Sequence, residues 1–153
     1  MHRMRILLAD DNAALRQTVR QIIEENPRWR ICGEAADGRT AVELARRLHP
    51  DIVILDYKMP LMNGLEAAHL IGSFLPQAAM VLFTGEATKA VVQQARGSGI
   101  GAVLSKAGHG YLRLLSFIDR VSSETQGRHS ASLAKRRSSK RHGPSDFGST
   151  LGL

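Results

Sequence analysis

One cysteine, Cys32, occurs in 153 residues. A single thiol excludes an internal disulfide and cannot by itself build a thiolate metal cluster. Set in an apolar stretch, it reads as a buried structural thiol and not as a redox sensor. Long apolar runs are also missing: none approaches the roughly 20 residues of a membrane span. After Met1-His2-Arg3-Met4-Arg5 only four apolar residues precede Asp10-Asp11. That is too short for a secretory core, so the chain reads as cytoplasmic. No internal repeat is present.

Hydrophobic residues make up 43% and charged residues 23%, an ordinary composition for a folded domain. A chain of this length fits one domain with a real core. The net charge is +7, with 21 Lys/Arg against 14 Asp/Glu, but it is unevenly placed. Residues 1–122 are close to balance. Residues 123–153 carry Arg128, Lys135, Arg136, Arg137, Lys140 and Arg141 against only Glu124 and Asp146.

Residues 1–122 alternate short apolar runs with helical patterns. Ile6-Leu7-Leu8-Ala9, Ile52-Val53-Ile54-Leu55 and Met80-Val81-Leu82-Phe83 are continuous apolar runs, as parallel strands covered on both faces require. Trp29-Arg30-Ile31-Cys32 alternates and suits an edge strand, and Ala102-Val103-Leu104 is a fifth candidate. Between them, Leu15, Val19, Ile22 and Ile23 share one helical face. So do Ala41, Leu44, Ala45 and Leu48, and again Tyr111, Leu114, Leu115 and Ile118. Leu65 with Ala68, and Val91 with Ala95, mark two weaker helices. Five strands alternating with five helices predict an α/β domain with a parallel sheet. From Ser122 onward this pattern stops, and the Ser-, Gly- and Arg/Lys-rich residues 123–153 are expected to be a disordered tail.

In open parallel sheets, functional groups gather at the carboxyl ends of the strands. The residues just past the predicted strand ends are Asp10-Asp11, Asp56, Thr84 and Lys106. Three carboxylates, a hydroxyl and an ammonium are thus predicted to converge on one edge. Asp10-Asp11, Asp56-Tyr57-Lys58-Met59-Pro60-Leu61-Met62-Asn63-Gly64, Thr84-Gly85 and Lys106, taken in this order, resemble the response-regulator receiver domains of two-component signalling. The resemblance covers residues 4–121. Its texture, including Leu104-Ser105-Lys106-Ala107, is nearest to receivers of the LuxR/NarL-type subfamily. It implies a flavodoxin-like (βα)5 doubly wound sheet in strand order 2-1-3-4-5, with Asp56 as phosphoacceptor.

The chemistry is consistent with that likeness. A carboxylate accepts a phosphoryl group as an acyl phosphate once the repulsion between two anions is neutralised. Asp11 and Asp56 are candidate direct ligands of a Mg²⁺ ion, with Asp10 holding one of its waters. Mg²⁺ characteristically takes one or two carboxylates, several waters and phosphate oxygens. The resemblance adds the Lys58 backbone carbonyl as a ligand. Lys106 offers a point charge to phosphoryl oxygens, and Thr84 a hydroxyl donor. Gly85 leaves room beside the phosphate. Lys58 and Glu86, each two residues beyond a site residue, are expected to face each other across the mouth.

Each piece also has a plainer reading. An Asp-Asp pair after a strand often caps a helix, and Asp11 is placed to cap one beginning near Ala13. A lone Thr is more often structural, and a lone Lys solvated. Only the ordered set makes the signal specific. A haloacid-dehalogenase-type phosphatase wants a second Asp where this chain has Lys58. Gly97-Ser98-Gly99-Ile100-Gly101 precedes a strand and so fails the context test for a dinucleotide loop. The six histidines are scattered without metal spacing.

Two positions depart from the family pattern. Val103 stands where receivers usually carry Tyr or Phe, and Ala107 where many have Pro. Residues 123–153 lack the periodicity of a helix-turn-helix. The reading is therefore a stand-alone receiver, not an enzyme beyond its own phosphorylation and dephosphorylation. Its expected partners are a histidine kinase or phosphotransfer protein and a downstream protein. A regulator whose basic tail binds nucleic acid is the alternative; a tail with Phe147 as its one aromatic supports it weakly.

Overall fold

The computed structural model describes residues 2–139. Five strands, β1 (Met4–Ala9), β2 (Trp29–Ala35), β3 (Ile52–Leu55), β4 (Ala79–Thr84) and β5 (Ile100–Ser105), alternate with five helices. These are α1 (Ala13–Glu24), α2 (Gly38–Leu48), α3 (Gly64–Phe74), α4 (Lys89–Ala95) and α5 (Gly110–Ser139). The sheet is wholly parallel in the order β2-β1-β3-β4-β5, the flavodoxin-like arrangement.

The apolar runs became the strands for a simple reason. All four residues of β3 are buried, and Ile6, Leu7, Leu8 and Leu82 beside them are at most 2% exposed. A side chain so enclosed contributes about 1.5–3 kcal/mol relative to exposure. The helices close the core with Ile71 and with Ala41, Ala45, Ala67 and Ala68, whose small side chains let helix and sheet approach closely.

Register then aligns the strand ends. Ala9 lies beside Leu55, and Leu55 beside Leu82. The ladder runs one residue further: Asp56 N–H donates to the Ala9 carbonyl at 2.9 Å and Asp10 N–H to the Ala35 carbonyl at 2.9 Å. Thr84 pairs with Ser105, and Lys106 N–H donates to the Thr84 carbonyl at 3.0 Å. Asp10, Asp56, Thr84 and Lys106 therefore leave the sheet at one edge, and the reversal of strand order at β1 and β3 opens the crevice there.

The helix starts follow capping chemistry. Asn12 accepts from Leu15 N–H at 3.1 Å and caps α1, so the capping residue is Asn12 and not Asp11. Asp37, Asn63 and Thr88 cap α2, α3 and α4. Gly64 opens α3 where nothing larger fits: a Cβ there would lie 2.1 Å from the Asp56 carbonyl oxygen.

The chain divides into two compact units between Asp119 and Arg120. In the first, Leu114, Phe117 and Ile118 of α5 are buried. In the second, α5 continues to Ser139, where the sequence reading expected a disordered tail from residue 123. That expectation rested on composition, lost periodicity and the lack of apolar surface to bury, and residues 123–138 are indeed exposed. It overlooked local propensity: Ala131, Leu133, Ala134, Lys135, Arg136 and Arg137 are strong helix formers, and residues 123–139 contain no proline. It also overlooked that elongating an existing helix avoids the costly nucleus. Residues 140–153 of the predicted tail lie outside the described residues.

Candidate functional site

Two strand-end carboxylates, those of Asp10 and Asp56, meet around the Lys106 ammonium group. Lys106 Nζ lies 2.6 Å from Asp10 Oδ2 and 2.9 Å from Asp56 Oδ2. The second oxygen of each carboxylate is held by backbone: Asn12 N–H donates to Asp10 Oδ1 at 2.9 Å, and Tyr57 N–H to Asp56 Oδ1 at 2.7 Å. Asp10 and Asp56 are buried, whereas Asp11 is exposed at the rim. Oxygens from all three carboxylates lie within 4.8 Å of one another.

Burial pushes the Asp10 carboxyl above its ordinary range, and the nearby Asp56 charge adds to this. Hydrogen bonds from Lys106 and the Asn12 N–H oppose the rise without cancelling it. For Lys106, burial disfavours the ammonium, yet its bonds to Asp10 and Asp56 outweigh that and hold its pKa above the ordinary value. The lysine therefore stays charged throughout the physiological range.

Three carboxylates against one ammonium leave the ionised cluster with an excess of two negative charges. A divalent cation would balance that excess, and an all-oxygen donor set suits a hard ion such as Mg²⁺. The donor chemistry present therefore fits the metal that the sequence reading expected.

Thr84 is 1% exposed, and its Oγ1 accepts from Glu86 N–H at 3.1 Å, which fixes the hydroxyl at the strand end. A Cβ on Gly85 would meet nothing within 4 Å, so the space beside Thr84 is open. Lys58 and Glu86 form an exposed ion pair, Nζ to Oε1 2.9 Å, and Glu86 raises the Lys58 pKa by hydrogen bonding. Asp10, Asp11, Asp56 and Lys106 are thus brought together, and Thr84 is joined to Lys106 through the backbone.

Sequence reasoning missed Arg16. Its Nη1 donates to the Asp10 carbonyl, and its Nε lies 3.4 Å from Glu34 Oε1. Position Val103, where an aromatic ring was noted as missing, packs against the core cluster. The aromatic contact nearby is Phe83 against Tyr111, edge to face at 5.5 Å between centroids.

A parallel sheet in this order, with paired acids just past β1, an acid just past β3, a hydroxyl at the end of β4 and a lysine just past β5, defines a receiver of the two-component type. Comparison with known proteins gives the same answer: the model described as "Response regulator receiver domain" matches residues 6–112, and the chain belongs to that family. It is 37% identical over 93 residues to a protein-glutamate methylesterase/protein-glutamine glutaminase of Pyrococcus abyssi, covering 60% of this chain and 25% of that one. It is 40% identical over 102 residues to the transcriptional regulatory protein PdtaR of Mycobacterium tuberculosis, covering 67% of this chain and 49% of that one. The chain thus matches half or less of the length of these two relatives. Among solved structures, the signal receiver domain of the response regulator NarL from Mycobacterium tuberculosis superimposes with a TM-score of 0.72 at 27% identity. That match covers 80% of this chain and 98% of the NarL domain. No helix among the described residues is long and apolar enough to cross a membrane.

Proposed function

We propose that this chain is a phosphorelay receiver whose Asp56 accepts a phosphoryl group from a histidine kinase or phosphotransfer protein, and that it signals through phosphorylation-dependent protein contact. The observation that carries this reading is the Lys106 ammonium bridging two buried carboxylates, with a third carboxylate at the rim.

In the proposed step an Asp56 carboxylate oxygen attacks the phosphorus of a phosphohistidine. The new O–P bond forms as the N–P bond breaks, and the imidazole leaves with the bonding electron pair and takes up a proton. Asp11 and Asp56, with the Lys58 carbonyl, would hold Mg²⁺ and Asp10 one of its waters; the ion would supply positive charge against the repulsion of two anions. Lys106 exchanges part of its contact with Asp56 for a phosphoryl oxygen, which needs no change in its own protonation. Thr84 donates its hydroxyl to another oxygen, and Gly85 leaves room for the donor. Residues 1–122 form the receiver in this reading, and it does no chemistry beyond gaining and losing the phosphoryl group.

A small-molecule phosphodonor with Mg²⁺ tests this directly. Intact-mass spectra should show one phosphoryl addition to the wild-type chain and none to Asp56→Ala, and Asp11→Ala should need far more Mg²⁺. Undiminished labelling of Asp56→Ala would overturn the assignment.

A second reading follows from the exposed, basic end of α5. Arg128, Lys135, Arg136 and Arg137 lie within residues 124–139 of α5 against Glu124 alone, a charge suited to nucleic-acid phosphates. If so, duplex binding by the full chain should weaken steeply with salt, and substituting Lys135, Arg136 and Arg137 by Gln should flatten that slope. Retention unaffected by these substitutions would leave the basic segment as a solvated helix end.

A further inference from the structure

Asp10 is tied down by every polar group it has. Its N–H donates to Ala35, its carboxylate oxygens meet Asn12 N–H and Lys106, and its carbonyl accepts from Arg16. Asp11 differs: it is exposed, and its carboxylate makes no hydrogen bond among the described residues. What fixes the direction of Asp11 is therefore the peptide unit joining it to Asp10. That unit is planar, so anchoring its carbonyl sets the plane from which the Asp11 Cα departs.

The anchor is itself oriented. Arg16 has a side chain 18% exposed, with Nη1 on the Asp10 carbonyl and Nε 3.4 Å from Glu34 Oε1. Glu34 is held in turn by Arg20, Nη1 to Oε2 2.7 Å, and Arg20 Nε lies 3.6 Å from Glu24 Oε2. The guanidinium fork spans α1, the turn after β1 and β2 with two separate nitrogens, which an ammonium cannot do. Its Nε is enclosed and makes no hydrogen bond, so this arginine is held by position more than by saturation of its donors. Because Glu34 faces Arg16, the pair adds little net positive charge beside the carboxylate cluster.

We infer that Arg16, oriented by Glu34, is a positioning residue for the cation site: it holds the Asp10–Asp11 peptide so that the Asp11 carboxylate faces Asp10 and Asp56. The inference rests on the receiver-site reading above. Residues that orient ligands from outside a metal site typically change its affinity by 10- to 100-fold. Arg16 acts here through the backbone and touches neither the ion nor the phosphoryl group.

Calorimetric titration of the full chain with Mg²⁺, beside urea unfolding of each variant, tests this. Arg16→Ala should raise the Mg²⁺ dissociation constant by about tenfold or more. Glu34→Gln should raise it less, and Arg16→Lys should fall between wild type and Arg16→Ala, since lysine keeps the charge but lacks the planar fork that presents Nη1 and Nε in different directions. If Arg16→Ala does not fold, the other two variants carry the test. Lower urea midpoints with unchanged Mg²⁺ affinity would overturn the inference and make Arg16 a brace between α1 and β2. Wild-type and Asp11→Ala chains in the same titration separate the two failures. Mg²⁺ binding by wild type that survives unaltered in Asp11→Ala would overturn the site reading itself.

Discussion

Lys58 Nζ sits 2.9 Å from Glu86 Oε1, closing an ion pair between the turn after β3 and the loop after β4. The two residues lie two positions beyond Asp56 and two beyond Thr84, so the pair bridges the loops that flank the predicted phosphoryl site. Both side chains are exposed, and such pairs contribute little to folding. Their expected effect is on water access to the acyl phosphate. Lys58→Ala and Glu86→Ala should each shorten the half-life of the phosphorylated chain while leaving the urea midpoint in place. Phosphate release followed in the two variants checks this, and unaltered rates would discard the gating role.

Gly64 allows the turn beginning at Asp56 to fold back onto its own strand end. Its N–H donates to the Tyr57 carbonyl at 2.9 Å, and an added Cβ would lie 2.1 Å from the Asp56 carbonyl oxygen and 2.9 Å from Leu82 Cδ1. Backbone cannot yield as a flexible side chain does, so Gly64→Ala must displace α3 or the Asp56 peptide. Overpacking of this kind costs about 1–3 kcal/mol or more. Urea unfolding should show that loss, and phosphodonor labelling of Asp56 should fall with it. Full labelling in a destabilised variant would show that the acceptor's geometry tolerates the shift.

The legible part of this molecule was what periodicity and strand-end chemistry carry. Ile52-Val53-Ile54-Leu55 reads as a strand enclosed on both faces, which places the acid after it at a sheet edge. The Asp10–Asp56–Lys106 cluster followed from that edge. Arg16 was not legible, because its tie to Glu34 depends on how α1 lies against β2, and no local spacing encodes it. Asp11 was the cap expected from sequence, but the side chain that accepts the Leu15 N–H is that of Asn12, one residue on. The run of α5 past residue 122 was hidden because its helix formers bury nothing, so neither an apolar stripe nor composition marks it as helix.

Asp37 gives the domain a pH dependence apart from the phosphoryl site. Its Oδ1 accepts Thr40 N–H at 2.7 Å and its Oδ2 the Thr40 hydroxyl at 2.9 Å, and the backbone bond chiefly lowers its pKa. A carboxyl whose folded pKa is depressed adds stability above its unfolded value, near 3.9, and loses it as pH falls through the folded value. Asp37→Ala should cost about 1 kcal/mol at neutral pH through loss of the cap. Asp37→Asn keeps a capping oxygen but does not titrate, so its urea midpoint should fall less than wild type between about pH 5 and pH 3. Parallel acid profiles for wild type and Asp37→Asn would contradict this.

The last prediction concerns how the site reaches the rest of the domain. Val103 is too small to swing as an aromatic switch, and it is packed against the core. Phe83, directly before Thr84, instead meets Tyr111 in the first turn of α5, ring edge to ring face. Gly110 makes this approach possible: a Cβ there would lie 1.9 Å from the Ser105 carbonyl oxygen and 3.4 Å from the Phe83 ring. An inward pull on Thr84 must therefore move the loop that begins at Gly85 and load the Phe83–Tyr111 contact. Beyond α4, Gly97 and Gly99 have φ of 82° and 88°, a region where glycine absorbs change at little steric cost. Amide shifts measured with and without a phosphoryl mimic should thus extend through residues 86–101 and to Tyr111. In Tyr111→Ala the shifts in residues 86–101 should persist while those in the first turn of α5 shrink. Shifts confined to residues touching the phosphoryl group would show that neither route carries the signal.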